Sequence, residues 1–241
     1  MRITLIAHTV LHPCIKATDQ WLRAPEYMLN GTDAEVLGEF LGRLCYDSYD
    51  KGRPSEDFHG NILEHRHGSL LAHASFTLLI EDVSRSFSAE LLRHHVGCNP
   101  TERSTRYVDG TDLKFIAHPF DDTDAGDHFK FMEAVRAMYV ATYNKTYNKL
   151  MQAGFGPFDA KKQARAAAAR HLPLGIETAV GFSMNHRAFR NILEQRFNEH
   201  ADEEIRQWAQ ASFEIVRPLA PNYYRDYALD GRNLTTTNRK V

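Results

Sequence analysis

Cysteine is scarce in this sequence, and the three that occur lie far apart. Cys14, Cys45 and Cys98 form no CxxC pair, and an odd, dispersed set provides no disulfide framework. Sparse thiols are typical of proteins in a reducing compartment, so we expect a cytoplasmic protein. No apolar run approaches the roughly 20 residues of a membrane span, so we expect no membrane partner.

An excess of charge of one sign is also missing. Lysine and arginine number 29 against 31 aspartate and glutamate residues, for a net charge of −2. This balance argues against a nucleic-acid-binding surface, so no nucleic acid partner is expected. Neither GxGxxG nor GxxxxGKS/T occurs in the sequence, so a bound dinucleotide would not be held in the Rossmann or P-loop manner.

Hydrophobic periodicity predicts an α+β fold that is mostly helical with a small sheet. Strand-like alternation is found early in the chain, at MRITLIAHTV and SFTLLIEDV. Helical spacing predicts segments at 33–49, 58–71, 84–95, 128–153, 159–173 and 185–217, the last as one or two helices. No Pro/Gly/Ser-rich linker divides residues 1–241, so we expect a single domain with a polar, frayed tail at about 230–241.

The stretch RHHVGCNPTERSTRY (93–107) concentrates positive charge after a strand that should be buried. Arginine's planar fork suits phosphate oxygens, and hydroxyls add donors. The candidate phosphate ligands are Arg93, Arg103, Ser104, Thr105 and Arg106. A solvated face with internal ion pairs is the alternative, although Glu90 and Glu102 offer few partners. If 84–95 is helical, Glu90, Arg93 and His94 share one face.

Several histidines and one cysteine invite other chemistry. No HExxH occurs, no carboxylate completes a familiar ligand spacing, and adjacent His94 and His95 would point to different helix faces. We therefore predict no metal site. Cys98 among arginines is a candidate nucleophile with a lowered thiol pKa, but no base is placed near it, so a packed cysteine is the other interpretation. The histidines considered are His65, His67, His73, His94 and His95.

A series of motifs follows one another along most of the chain. They are EFLGRLCYDSY (39–49), HGSLLAH (67–73), SFTLLIEDVSRS (75–86), AELLRHH (89–95), ERSTRY (102–107), AARHLP (168–173), NHR (185–187) and HADEEIR (200–206). In this order they resemble the flavin-dependent thymidylate synthases, the ThyX family. Any one of these motifs is a weak signal, whereas the ordered set is a strong one.

The resemblance implies a ThyX-like catalytic domain and a particular reaction. It implies FAD as cofactor, with NADPH as reductant and 5,10-methylenetetrahydrofolate as carbon donor. The acceptor is a uridine 5′-monophosphate, dUMP or UMP, which is methylated at C5. The resemblance also implies a homotetramer whose active sites are shared between subunits.

Site residues follow from the resemblance one by one. Arg196 is the implied catalytic residue, because an arginine at the O4/N3 edge of the pyrimidine stabilises negative charge that grows on the ring. Such a mechanism requires no protein nucleophile. The implied substrate-binding residues are Glu90, Arg93, Glu102, Arg103, Ser104, Thr105, Arg106, Arg170 and Arg196. The implied flavin-binding residues are His67, Ser69, Arg93, His94, His95, Glu102, Asn185, His186, Arg187 and Asn191.

Three departures from the family pattern fall near the implied phosphates. His95 replaces the second arginine of R-H-R, Ala72 replaces a glutamate, and one extra residue precedes Ser104. Histidine is not reliably cationic at neutral pH. A branch of the family methylates UMP as well as dUMP in biosynthesis of the antibiotic polyoxin, and a remodelled loop would suit a ribose 2′-OH. We therefore expect a UMP/dUMP methylase, with a housekeeping or phage dUMP-specific thymidylate synthase as the alternative.

Two non-enzymatic classes remain as alternatives. The loss of arginine at His95 fits a module that binds a nucleotide or flavin without chemistry. Bleaching of bound flavin by NADPH, and loss of turnover in Arg196→Ala, would distinguish an enzyme from such a module. An RNA-binding protein would show a steep salt dependence, and the balanced charge disfavours it.

Overall fold

A computed structural model describes all 241 residues, Met1–Val241, and contains eight α-helices and six strands. The helices are α1 (Asp19–Arg23), α2 (Asp33–Leu44), α3 (Ser55–Glu64), α4 (Arg85–Leu91), α5 (Ala125–Gln152), α6 (Pro157–Ala168), α7 (His186–Arg196) and α8 (Glu203–Val216). The strands are β1 (Arg2–His8), β2 (Ser75–Ser84), β3 (Cys98–Glu102), β4 (Glu177–Asn185), β5 (Tyr227–Asp230) and β6 (Asn233–Thr236). The predicted α+β class is confirmed. No helix is both long and apolar enough to cross a bilayer.

The first four strands form one sheet in the order β1-β2-β4-β3, and β5 pairs with β6 in a separate antiparallel ribbon. The chain divides into two compact units. The first comprises Met1–Arg2, Glu81–Leu91 and Thr101–Val180, and the second comprises Ile3–Ile80, Leu92–Pro100 and Gly181–Val241. The expectation of one domain over 1–241 stays a prediction.

The first unit is built around helices α5 and α6, which pack on each other. Met132 and Val135 on α5 join Leu113 and Ile176 in a buried apolar cluster. The Tyr139 hydroxyl accepts the Gly110 N–H at 3.1 Å. These contacts fix the segment that follows β3 onto the long helix.

The second unit has an aromatic core between its strands and α7 and α8. Phe189 of α7 contacts Trp208 of α8 with ring centroids 6.5 Å apart, and Phe182 of β4 contacts the same indole. Arg190, fully buried, donates to both carboxylate oxygens of Asp226 at 2.7 and 2.8 Å. The pairing of charge in the interior avoids the cost of an isolated buried ion.

Strands late in the chain were not predicted. β3 contains Pro100 and was not among the predicted strands, but it lies at a sheet edge, where a missing N–H is tolerated. β4 alternates buried and half-buried residues, the period expected of a strand. The expected frayed tail is also wrong, since β5 and β6 pair and Leu234 and Val241 are buried.

Several helix boundaries differ from the prediction. The helix expected over 159–173 ends at Ala168 and is followed by a 3₁₀ turn at Ala169–His171. The segment 58–71 is α3 followed, after Arg66 at φ +57°, by a 3₁₀ turn at Gly68–Ala72. The helix expected over 33–49 ends at Leu44. α4 ends at Leu91, so Arg93 and His94 are not helical and the shared-face argument with Glu90 is wrong.

Candidate active site

A cavity of about 460 Å³ in the second unit is lined by two predicted arginines. Its lining residues are Arg93, His94, Gln195 and Arg196. Arg196 is the last residue of α7, and its Nε donates to Nε2 of His94 at 3.0 Å. The contact joins residues 102 positions apart and fixes the direction of the guanidinium. We call this the arginine cavity.

His94 in the arginine cavity is neutral at physiological pH. Burial lowers its pKa to about 4, and the charges of Arg196, His95 and Arg93 act in the same direction. Because Nε2 accepts from Arg196, the ring proton is assigned to Nδ1. A neutral acceptor orients the arginine without neutralising its charge.

A second cavity, of about 450 Å³, surrounds the start of α7. Asn185 is the N-cap residue, and its Oδ1 accepts the Ala188 N–H at 2.8 Å. Arg187 and Asn191, four residues apart, are exposed on one helix face and line this cavity. Three predicted flavin residues are therefore brought together. We call this the tail cavity, because Lys240 and Val241 also line it.

A third cavity, of about 380 Å³, shares Ala72, Gly97 and Asn185 with the tail cavity. His95 and Cys98 also line it. Burial raises the pKa of the Cys98 thiol to about 11. The expectation that arginines lower this pKa is wrong, and Cys98 does not have the character of a nucleophile.

His67 and Ser69 flank Gly68 at the start of the 3₁₀ turn, and both side chains are exposed. Gly68 lies against Arg187, since a Cβ built on Gly68 would be 3.1 Å from the arginine Nε. The turn that holds both predicted flavin residues therefore adjoins a residue of the tail cavity.

His186 differs from the other predicted flavin residues. Its side chain is buried, its ring lies 5.1 Å from that of Phe76, and Nδ1 is 2.7 Å from the Tyr224 hydroxyl. Burial lowers its pKa to about 3. These contacts place the ring in the core, and we leave His186 out of the proposed ligand contacts.

Glu102 in the first unit is fully engaged by protein donors. Its carboxylate accepts from Ser88 Oγ at 2.6 Å, Thr178 Oγ1 at 3.1 Å and Arg85 Nη1 at 3.4 Å. Arg85 also donates to the Arg103 carbonyl at 2.7 Å. Glu102 thus anchors the turn that follows β3.

The residues after Glu102 form that turn. Arg103 is paired with Glu177 at 3.3 Å, and the Ser104 hydroxyl accepts the Arg106 N–H at 3.3 Å. Thr105 is half-buried, whereas the Arg106 side chain is exposed. Arg106 is therefore the arginine of this turn whose charge faces solvent.

Two other predicted substrate residues lie outside this turn. Arg170 is exposed and donates to the Ala166 carbonyl at 2.9 Å, and Glu90 on α4 is half-buried.

Sequence reasoning missed several lining residues. Gln195 contributes an amide to the arginine cavity, and the neighbouring Arg196 was the only signal for it. Gly97, at φ +73°, lines two cavities. Lys240 and Val241 were missed because a polar end of chain gives no local sign of tertiary packing.

Comparison with known proteins shows the family of this chain. Residues 27–222 match the family described as thymidylate synthase complementing protein, Thy1. This chain belongs to the Thy1 family. A probable flavin-dependent thymidylate synthase of Mycobacterium phage L5 is 39% identical over 206 residues, 80% of this chain and 81% of the relative. That of phage D29 is 35% identical over 94% of this chain and 96% of the relative.

A relative from a bacterium is named a flavin-dependent thymidylate synthase, without the word "probable". The flavin-dependent thymidylate synthase of Mycobacterium sp. (strain KMS) is 36% identical over 225 residues, 86% of this chain and 87% of the relative. The predicted family resemblance is confirmed, as is the prediction that the chain is an enzyme of the methyltransferase class. The roles of individual Thy1-family site residues stay predictions.

Proposed function

We propose that this chain is a flavin-dependent thymidylate synthase that methylates C5 of a uridine 5′-monophosphate. Similarity to such enzymes over most of the chain supports the reaction. The structural observation that supports it best is Arg196, held by a neutral His94 at the wall of a cavity that also has Arg93.

The residues around the tail cavity fit FAD. Asn185 and Asn191 offer amide donors and acceptors, Arg187 offers an unpaired cation, and no aspartate or glutamate lines the cavity. An anionic, hydrogen-bonding cofactor requires this set of groups. When bound and reduced by NADPH, the flavin supplies the hydride that completes the methyl group derived from methylenetetrahydrofolate.

Arg196 acts electrostatically in this proposal. Negative charge on the pyrimidine during attack from C5 is stabilised by a fixed cation in a partly desolvated cavity. His94 contributes orientation, because a neutral acceptor 3.0 Å from Nε restrains the side chain without cancelling its charge. No activated thiol is needed, which agrees with the raised pKa of Cys98.

The nucleotide phosphate is assigned to the turn after β3. Ser104 and Thr105 supply hydroxyls, and Arg106 supplies a charge with no carboxylate partner. Glu102 and Arg103 are engaged with protein groups and support the turn. We further propose a homotetramer with active sites shared between subunits, and light scattering of the purified protein tests the number of subunits. Arg93, Arg170 and Glu90 stay proposed substrate contacts.

Both UMP and dUMP are proposed as substrates. The departures Ala72 and His95 line the third cavity, so the sequence differs from the family pattern at cavity walls. The test incubates the purified protein with FAD, NADPH, methylenetetrahydrofolate and either nucleotide, and detects the 5-methyl product by mass spectrometry. Comparable turnover of both is expected. Product from dUMP alone would remove the UMP proposal, and product from neither would overturn the synthase assignment.

A further inference from the structure

The segment after β6 is held by a buried arginine. Arg190 Nη2 donates to the Asn238 carbonyl at 3.1 Å, in addition to its two bonds to Asp226. The Asn238 amide donates to the same carboxylate at 3.1 Å. Arg190 is fully buried and Asn238 is half-buried, so these bonds hold the segment against α7.

The last two residues are fixed as well. The Lys240 N–H donates to Glu194 Oε1 at 3.0 Å, and Val241 is 3% exposed. Lys240 has a φ of +60°, a conformation that costs a non-glycine residue about 1 kcal/mol and persists when surrounding contacts impose it. A Cβ on Gly68 would lie 2.1 Å from the Val241 carbonyl carbon.

This packing brings a second cation to the tail cavity. Lys240 and Arg187 both line it, and neither side chain forms an ion pair within the protein. Asn185 and Asn191 line the same cavity. The two cations outnumber the one carboxylate of Val241 in this lining, so the cavity keeps a net positive charge and, with its two amides, suits an anion with several acceptor oxygens.

We propose that Lys240 is a flavin-binding residue, which the anchored tail positions to neutralise, with Arg187, the phosphates of FAD. The inference rests on the proposed function. It adds a residue from the last segment of the chain to a site otherwise assigned to the 3₁₀ turn and α7. The tail is thereby a wall of the cofactor site and not a surface appendage.

The test measures the Kd for FAD by quenching of flavin fluorescence in four proteins. Lys240→Ala should weaken FAD binding about fivefold, the effect of one partly exposed charge pair, and Lys240→Glu should weaken it further. The neighbouring Arg239→Ala is the matched control and should stay within about twofold, since Arg239 lines no cavity described above. The Lys240 effect should shrink as NaCl is raised.

The outcomes separate the two proposals. If the wild-type protein binds no FAD, the proposed function fails. If it binds FAD and Lys240→Ala binds equally well at low salt, only the role of Lys240 is overturned. Tighter binding in Lys240→Ala would also overturn it, because the tail would then compete with the cofactor.

A second variant moves the tail and leaves the Lys240 charge in place. Its new Cβ would also lie 3.1 Å from Arg187 Nε, so the decisive result is an unchanged FAD affinity. Gly68→Ala introduces a Cβ where the Val241 main chain lies, so it should displace the tail. Weaker FAD binding, with faster hydrogen exchange at residues 238–241 and unchanged circular dichroism, is expected. Unchanged FAD affinity despite faster exchange in the tail would contradict the inference.

Discussion

The neutral ring of His94 accepts a hydrogen bond from the Arg196 guanidinium and orients that side chain. The guanidinium retains its charge because burial and the neighbouring cations keep the histidine pKa at about 4. Replacing Arg196 by alanine should lower kcat by about 10²–10³, the cost of losing one donor at a developing negative charge. Arg196→Lys should recover little, because lysine lacks the planar fork.

Steady-state assays of nucleotide methylation measure kcat of the Arg196 variants. Their FAD content and circular dichroism show whether the variants are folded. Arg239→Ala, an exposed arginine at a distance in sequence, should leave kcat unchanged. Activity of Arg196→Ala near the wild-type value would refute the assignment of Arg196 as the catalytic residue.

Cys98 is a buried thiol whose pKa is raised to about 11. We expect iodoacetamide at neutral pH to modify exposed Cys14 and Cys45 well before Cys98. Peptide mass spectrometry of the alkylated protein measures this order. Cys98→Ala should keep most of the turnover, and loss of turnover in a folded Cys98→Ala protein would restore the nucleophile hypothesis.

At the scale of elements, the turn between α4 and β3 depends on Gly97. Its φ is +73°, and a Cβ there would lie 2.6 Å from Asn185 Nδ2. Gly154, after α5, has φ +85° and open space around it. Both Gly→Ala changes should be destabilising by about 1–2 kcal/mol from backbone strain, and Gly97→Ala by about 1 kcal/mol more from overpacking. Urea unfolding of the two variants measures how much free energy of unfolding each one loses, and equal losses would contradict the prediction.

The Arg190–Asp226 pair joins α7 to the segment before β5. Arg190→Met leaves Asp226 without its main partner in a largely buried position, so we expect a loss of about 3–5 kcal/mol. The double variant Arg190→Met/Asp226→Asn should recover part of that loss. Chemical denaturation of the three variants tests this, and a double variant less stable than Arg190→Met alone would contradict it.

Some elements were predictable from local pattern and others were not. α2, α5, α7 and α8 follow from apolar spacing, since each buries one face. β3 has no alternation that sets it apart from a loop, and only its partner at the sheet edge defines it. The contact of Arg196 with His94 spans 102 positions, so periodicity cannot predict it. The family resemblance implied a role for each residue but did not predict their contact.

At the scale of the whole molecule, three buried histidines determine how stability responds to acid. Burial lowers the pKa to about 4 for His59, about 4 for His94 and about 3 for His186. The unfolded chain binds protons near 6.5, so the folded state binds fewer between these values and stability falls as pH falls from 6.5 towards 4. Above about pH 7.5 the histidines are neutral in both states and stability no longer depends on them.

Unfolding near pH 5 should therefore take up roughly three protons from these histidines. Urea unfolding measured between pH 4 and 6.5 gives the free energy of unfolding at each pH, and its slope against pH gives the number of protons taken up. His59→Phe removes one titrating group and should reduce the slope by about one proton. A slope unaffected by that substitution would show that His59 is already protonated in the folded protein.

The family match ends at residue 222, whereas the fold does not. A recombinant fragment cut to 27–222 would lack Asp226, the partner of the buried Arg190, and Tyr224, the partner of His186. It would also lack β1 and both strands of the final hairpin. Similarity marks where relatives agree in sequence, and a protein engineer who trimmed to that boundary would leave the buried Arg190 without its counter-charge.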